Sequence, residues 1–183
     1  MGGEITIWPK TVKIIRQTTS AILWLILAVL LLPGAGSSQV PPTGSGLPLP
    51  RYVSLRAKEV NLRTGPGVRY PVDWVYRRRQ LPVEVIAEFG TWRKVRDSQG
   101  TEGWVHQSLL SSQRTFAVTG QTRTVRGRAD SKSPSVARVE IGVIGQLLQC
   151  PDGTGWCKVE VGGHVGWLRR VEFWGTYPRE TIR

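Results

Sequence analysis

The chain has 183 residues, with 25 Lys and Arg against 13 Asp and Glu, two Cys, two His, eight Trp, 21 Gly and 12 Pro. Its length and 40% hydrophobic content fit one ordinary domain or two small ones and exclude a disordered chain. The Gly and Pro load argues against a helix bundle, and two Cys with two His fall short of a four-cysteine zinc site. A formal charge of +12 points to an anionic partner.

Lys10, Lys13 and Arg16 precede an unbroken apolar run from Ala21 to Leu32, and Pro33 to Ser38 then supplies a break and small residues. Basic, apolar, small is the order of a secretory signal peptide. A membrane span needs about 20 apolar residues, so this run favours cleavage over an uncleaved anchor. The cut is expected after Ser37, or one residue to either side. Residues 1–37 are read as a signal peptide and no stable span is expected in the mature chain. Removing Lys10, Lys13, Arg16 and Glu4 leaves 22 basic and 12 acidic residues, a formal +10, so the basic balance belongs to the folded part.

Residues 38–50 are rich in Pro, Gly and Ser and read as a semi-extended linker. Beyond it the chain repeats itself. Val60–Pro66 corresponds to Arg123–Ala129, Thr91–Val95 to Gly155–Val159, and Gly103-Trp104-Val105 to Gly166-Trp167-Leu168. Three landmarks keep step to within one residue, and Trp lands in register twice. The repeat sets the architecture: a first unit over 51–113 and a second over 114–183.

Inside each unit the signals are those of strands. Leu81–Ile86 and Val143–Leu148 are short apolar runs, and Trp92–Arg96 and Trp156–Val161 follow turns rich in Gly, Asp and Thr, read as five residues long. Asp97–Gly100 and Gly162-Gly163 close the next hairpins. No stretch from Arg51 onward carries a sustained helical period. About five short strands per repeat imply a small barrel, whose closure protects its edges. The fold class is therefore all-β, two tandem small barrels after a signal peptide.

Asn61-Leu-Arg-Thr-Gly-Pro-Gly67, Val83–Ile86, Trp92–Val95 and Gly103–Leu110 together resemble the bacterial SH3-like repeat. The tail Arg169–Glu180 is similar to the C-terminal signature of an exported, two-repeat subfamily. The second repeat departs from the pattern where Val125-Arg-Gly-Arg-Ala129 replaces Leu-Arg-Thr-Gly-Pro. The resemblance implies SH3-like barrels in a non-enzymatic envelope protein, with related domains often binding cell-wall peptides.

Cys150 and Cys157 flank Pro-Asp-Gly-Thr-Gly-Trp, a turn sequence that places them on neighbouring strands near one rung, within bridging reach. An even cysteine count in an exported protein favours a disulfide, and the first repeat aligns Ile86 and Arg93 with the pair. A catalytic thiol would need a nearby base, and His164, the only histidine of that repeat, lies on the next hairpin arm. His106 and His164 occupy non-equivalent repeat positions and read as surface residues. Trp92, Trp104, Trp156 and Trp167 recur in both repeats, which favours packing in the core or at the barrel rim over a ligand platform.

Tyr70, Trp74 and Tyr76 follow the Gly65-Pro66-Gly67 loop and have no counterparts in the second repeat. In eukaryotic-type SH3 domains an aromatic groove beside such a loop binds extended peptides. Arg77, Arg78 and Arg79 come next and align with Ile141-Gly142-Val143. They read either as a solvated turn or as carboxylate-binding groups. These six residues are the candidate ligand site. The sequence offers no catalytic set, metal cluster or cofactor motif. Two functions follow. One is an exported periplasmic or envelope binding module for a cell-wall peptide or anionic envelope polymer. The other is an envelope scaffold that engages another envelope protein through Phe173, Trp174 and Tyr177. Nucleic acid fits the charge, but export argues against it.

Overall fold

A computed structural model describes residues 44–183. The expected signal peptide and the first part of the linker lie outside the described residues. Two sheets of seven antiparallel strands follow one another along the chain. The first holds β1 (Arg51–Leu55), β2 (Val60–Arg63), β3 (Val72–Tyr76), β4 (Pro82–Phe89), β5 (Trp92–Arg96), β6 (Glu102–His106) and β7 (Leu110–Ser111). The second holds β8 (Thr115–Val118), β9 (Arg123–Arg126), β10 (Ser135–Val139), β11 (Ile144–Gln149), β12 (Trp156–Val161), β13 (His164–Arg169) and β14 (Phe173–Trp174).

The strand orders are β3-β2-β6-β5-β4-β1-β7 and β10-β9-β13-β12-β11-β8-β14, which are the same order twice. Each repeat thus yields seven strands where five were expected. The two-residue β7 and β14 follow 3-10 turns at Gln107–Leu109 and Arg170–Glu172, too short to register as a hydrophobic period. In the first repeat the turn is also shorter than its composition implies. β4 runs on through Phe89, and only Gly90-Thr91 separates it from β5.

A single buried cluster in the first sheet takes Leu55, Leu62, Tyr76, Val83, Val95, Val105 and Leu110, at least one from every strand. Strands at both ends of the sheet reach the same core, so the sheet must curl around it: these are two tandem SH3-like barrels. The second core gathers Phe116, Val125, Val139, Leu147, Val159, Leu168 and Phe173 in the same way. Alternation along each strand decides which face enters. In β12, Cys157, Val159 and Val161 are buried while Trp156, Lys158 and Glu160 are only half-buried.

That parity removes the core from the two packing positions expected for the tryptophans. Trp92, Trp104, Trp156 and Trp167 are half-buried on the outer face and none joins either core. The repeated Gly-Trp pairs have a steric origin. A Cβ on Gly103 would lie 2.4 Å from Leu62 Cγ, and one on Gly166 2.5 Å from Val125 Cγ1. Glycine is what lets β6 and β13 close against β2 and β9.

The described end of the linker is exposed but tied down. The Ser45 amide and hydroxyl both donate to the Glu88 carboxylate, so from Ser45 onward the chain is part of the first barrel's surface. Among the described residues no helix is long and apolar enough to cross a membrane.

The barrels are joined by side chains. The Tyr52 ring lies 5.2 Å from that of Trp174, edge-on, and 4.8 Å from that of Tyr177. The Tyr177 hydroxyl donates to Glu84 Oε1 at 2.8 Å, while Arg96 donates to Glu84 Oε2 at 2.7 and 3.0 Å. The Thr115 hydroxyl donates to the Gln80 carbonyl at 2.8 Å. Burial, and then the carboxylate of Glu84, push the hydroxyls of Tyr52 and Tyr177 above the ordinary phenol range. Both therefore stay neutral, and Tyr177 remains a donor. Phe173 is in the second core, and Trp174 and Tyr177 are engaged by the first barrel. The three residues expected to meet another protein serve this chain's own packing.

Candidate ligand-binding cleft

A cleft of about 520 Å³ opens between the two barrels. Trp74, Val75, Tyr76, Arg77, Arg78 and Leu81 line one side, with Asp97 to Gln99 from the β5–β6 turn. Ala117 to Gly120, Ile141 and Gly142 of the second barrel line the other.

The structure brings four of the six candidate residues to this cleft and separates the other two. Trp74, on β3, is 56% exposed. Tyr76, two residues on, is 6% exposed and belongs to the core, with its hydroxyl 3.0 Å from Asp97 Oδ2. Burial and the adjacent Asp97 carboxylate raise the Tyr76 hydroxyl well above its ordinary value, so it is a fixed donor to Asp97. Asp97 Oδ1 in turn accepts the amides of Gln99 and Thr101 at 2.9 Å. Both its oxygens are thus held by hydrogen bonds from its own surroundings.

Arg77 lies 3.7 Å from Glu59, both largely exposed, which is worth little. Among the described residues Arg78 and Arg79 have no carboxylate within ion-pair distance. Arg79 does not line the cleft.

Tyr70 is elsewhere. Its ring sits against Gly65, where a Cβ would come within 2.4 Å of the ring, and the Arg69 guanidinium lies 5.4 Å above it. Arg63 Nη1 donates to the Val68 and Tyr70 carbonyls at 3.1 and 2.8 Å, and Arg126 repeats this on Ser133 at 2.8 Å. Tyr70 thus helps to shape its loop. That loop borders a separate groove lined by Pro66, Val68, Arg69, Trp92 and His106. The His106 Nδ1 there accepts the Ser108 amide at 3.3 Å and caps the first 3-10 turn.

Ile141 and Gly142 were not anticipated. Backbone bonds explain the misalignment: the Gln80 amide donates to the Leu55 carbonyl, and the Gly142 amide to the Val118 carbonyl, each at 2.8 Å. Gln80 is therefore the counterpart of Gly142, and the arginines correspond to Glu140-Ile141. The equivalent turns of the two barrels meet at one cleft, where a Cβ on Gly142 would lie 3.3 Å from Arg78 Nη1. An isolated isoleucine between Glu140 and a turn glycine, 63% exposed, was the available signal.

With this geometry in place, the family assignment is direct. Residues 56–112 and again 120–175 match the bacterial SH3 domain, more than half of the chain. The chain belongs to the bacterial SH3 domain family. Two solved structures, NlpC1 and NlpC2 from Trichomonas vaginalis, are similar to this bacterial SH3 protein at 11% and 10% identity. The similarity covers 73% and 70% of this chain and 49% of each of those, with TM-scores of 0.33 and 0.32. The chain spans about half the length of each, and a likeness of that order carries nothing about ligand. No curated protein matches it.

Proposed function

We propose that the protein is an exported, non-enzymatic binding module of the bacterial cell envelope that recognises a cell-wall peptide or an anionic wall component through the inter-barrel cleft. The supporting observation is the cleft itself, in which an exposed Trp74 stands beside Arg77 and Arg78. Aromatic surface supplies most of the affinity in such sites, and exposed arginines contribute about 0.2–1 kcal/mol each. Binding is therefore weak and salt-sensitive. Membership of a binding-domain family supports the reading, and so does a net positive chain.

The test is co-sedimentation of the mature protein with purified sacculi. Saturable pelleting that falls with salt is expected. Trp74→Ala should weaken it about tenfold or more, and replacing Arg77, Arg78 and Arg79 with Gln should flatten the salt dependence. A clean supernatant, or a folded Trp74→Ala protein that pellets normally, overturns the reading. Intact mass of the exported protein should lack residues 1 to about 37.

A further inference from the structure

We infer that the cleft takes its ligand as an added strand: a short extended peptide with a free carboxylate pairs its main chain with the open edge of β3, and both barrels hold its side chains. The inference rests on the wall-peptide reading above and adds the mode of binding and the need for the second barrel.

β3 is the last strand of its sheet and pairs only with β2. Among the described residues no other backbone or side-chain group bonds to the main chain of Val72–Tyr76. Successive side chains of a strand point to opposite faces. Three consecutive residues, Trp74, Val75 and Tyr76, line the cavity together with Arg77 and Arg78, so it takes in main chain at the C-terminal end of β3 and not one face of the strand alone. An open edge of this kind is a template for a further strand. Proteins commonly blunt such edges with charged side chains, Pro or bulges; β3 carries Asp73 and one irregularity in its pairing with β2, both towards its start, and no Lys or Pro.

Size and charge identify the occupant. A cleft of about 520 Å³ matches a drug-sized ligand, which means a peptide of a few residues and not a folded partner. Arg77 and Arg78 follow β3 directly, while Asp97, the acid of the cleft, is hydrogen-bonded to Tyr76 and to two amides of its own turn and pairs with neither arginine. A carboxylate placed past the end of β3 meets two guanidiniums with little competition. Trp74 and Ile141 are large apolar side chains exposed in the same cleft, one from each barrel. Covering both removes apolar surface from water only if the barrels act together.

The probe is the tetrapeptide Ala-Glu-Ala-Ala, titrated into the isotope-labelled mature protein and followed by amide chemical shifts. Two controls are methylated on alternate main-chain amides, since only one alternate set faces a neighbouring strand. A third replaces both carboxylates by amides. The expected result is that β3 and Ile141-Gly142 shift together, and that one methylated peptide binds more than tenfold more weakly while the other binds normally. The uncharged peptide should be a few-fold weaker, and Ile141→Asp should weaken binding at least fivefold.

Ile141 is exposed, so that variant is expected to fold, and its unperturbed spectrum verifies this. Equal binding by both methylated peptides, shifts confined to the first barrel, or an Ile141→Asp protein that binds normally overturns the inference. If sacculi pellet the protein but the probe does not bind, strand addition is wrong and the wall reading stands. If the probe binds as expected and sacculi do not, the wall reading falls alone.

Discussion

At one end of the first barrel Glu88, on β4, meets Arg93, on β5, with side chains only 6% exposed and Oε1 3.0 Å from Nε. In the second barrel the corresponding rung holds Cys150 and Cys157, disulfide-bonded and fully buried. The ladders make the match: Val85 faces Val95 and, past one irregularity, Ala87 faces Lys94, as Leu147 faces Val159 and Gln149 faces Lys158, so the next pair is Glu88 and Arg93 in one barrel and Cys150 and Cys157 in the other. Cys150 therefore replaces Glu88, and not Ile86 as the aligned sequences indicate.

The two cross-links make different demands. A buried ion pair must have its remaining donors and acceptors satisfied. Arg93 donates to the carbonyls of Gly90 and Trp92 and to Gln107 Oε1, and Glu88 takes Arg51 and Ser45 as well. A disulfide carries no charge and needs none of this. The second barrel still buries a guanidinium, that of Arg170, at the position of Gln107, but only neutral oxygens of Thr154, Pro151, Tyr177, Glu180 and Thr176 receive it. One backbone plan thus tolerates a polar or a covalent rung, and each choice recruits its own neighbouring segment.

Breaking the polar rung should have the largest effect. Arg93→Ala leaves Glu88 with Arg51 and the two Ser45 donors but without its cross-strand partner, and loss of one partner of a buried pair costs up to about 3–5 kcal/mol. Urea unfolding should show that loss, with hydrogen exchange rising first in β4 and β5; a loss below about 1 kcal/mol would mean the pair is dispensable.

Acid probes the same rung. Burial pushes the Glu88 carboxyl up, but the Ser45 amide, the Arg51 guanidinium and the Ser45 hydroxyl outweigh it and hold the group at about 2, below its ordinary 4.5. A depressed carboxyl stabilises the fold fully above the unfolded value and loses that contribution as pH falls through the folded one. Stability should therefore decline between about pH 4.5 and 2. Glu88→Gln should remove most of the slope. Part of the remainder belongs to Glu180 of the second barrel, where burial raises the carboxyl but Arg114, the Tyr177 amide and Thr176 bring it below the ordinary range. An unchanged slope in Glu88→Gln would place the acid sensitivity elsewhere.

The covalent rung comes next. A disulfide closing so short a loop is worth about 2.5 kcal/mol in the chain-entropy model. Cys150→Ser with Cys157→Ser should lower the stability of the second barrel by that order and leave exchange in the first barrel unchanged. Reductant alone should act slowly on the native protein. The bridge is buried, and the chain tail pairs over it through bonds of 2.8 and 3.1 Å between Cys150 and Ile182. Rapid reduction without unfolding would show that the tail opens on its own.

The sequence makes the repeat legible because Gly103 and Gly166 are sterically compelled and so persist beside their tryptophans. Hairpin turns are readable for a similar reason, since Gly162 and Gly163 both take positive φ. Alternation, however, says which residues share a face and not which face is inside. The recurrent tryptophans therefore read as packing residues although Arg93, Val95, Cys157 and Val159 take the inward positions. The candidate site is half legible: Trp74, Arg77 and Arg78 form a local run, whereas Ile141 reaches the cleft only because the second barrel docks on the first. Tyr70 belongs to the same run by sequence, yet Gly65 leaves room that its ring fills.

The smallest effect separates the two barrels at one backbone position. Gln80 has φ 63° and its counterpart Gly142 has φ 77°, so the first repeat places a side chain in the left-handed region where the second uses glycine. That conformation costs a residue with a Cβ about 1–2 kcal/mol, and glycine gives back about 0.5–1 kcal/mol through its greater freedom when unfolded. The contacts at Gln80 that hold the turn are made by its main chain: its amide to Leu55 and its carbonyl from Thr115. Its side chain makes one exposed bond of 3.4 Å, to Gln113. Gln80→Gly should accordingly stabilise the protein by about 0.5–1 kcal/mol, read as a higher urea midpoint at unchanged slope. Gly142→Ala should move the midpoint the other way, with the new methyl pressing on Arg78 as well. If Gln80→Gly instead lowers the midpoint, the side chain at Gln80 contributes more than its single exposed bond, and the two turns are not the equivalents their backbone bonds make them.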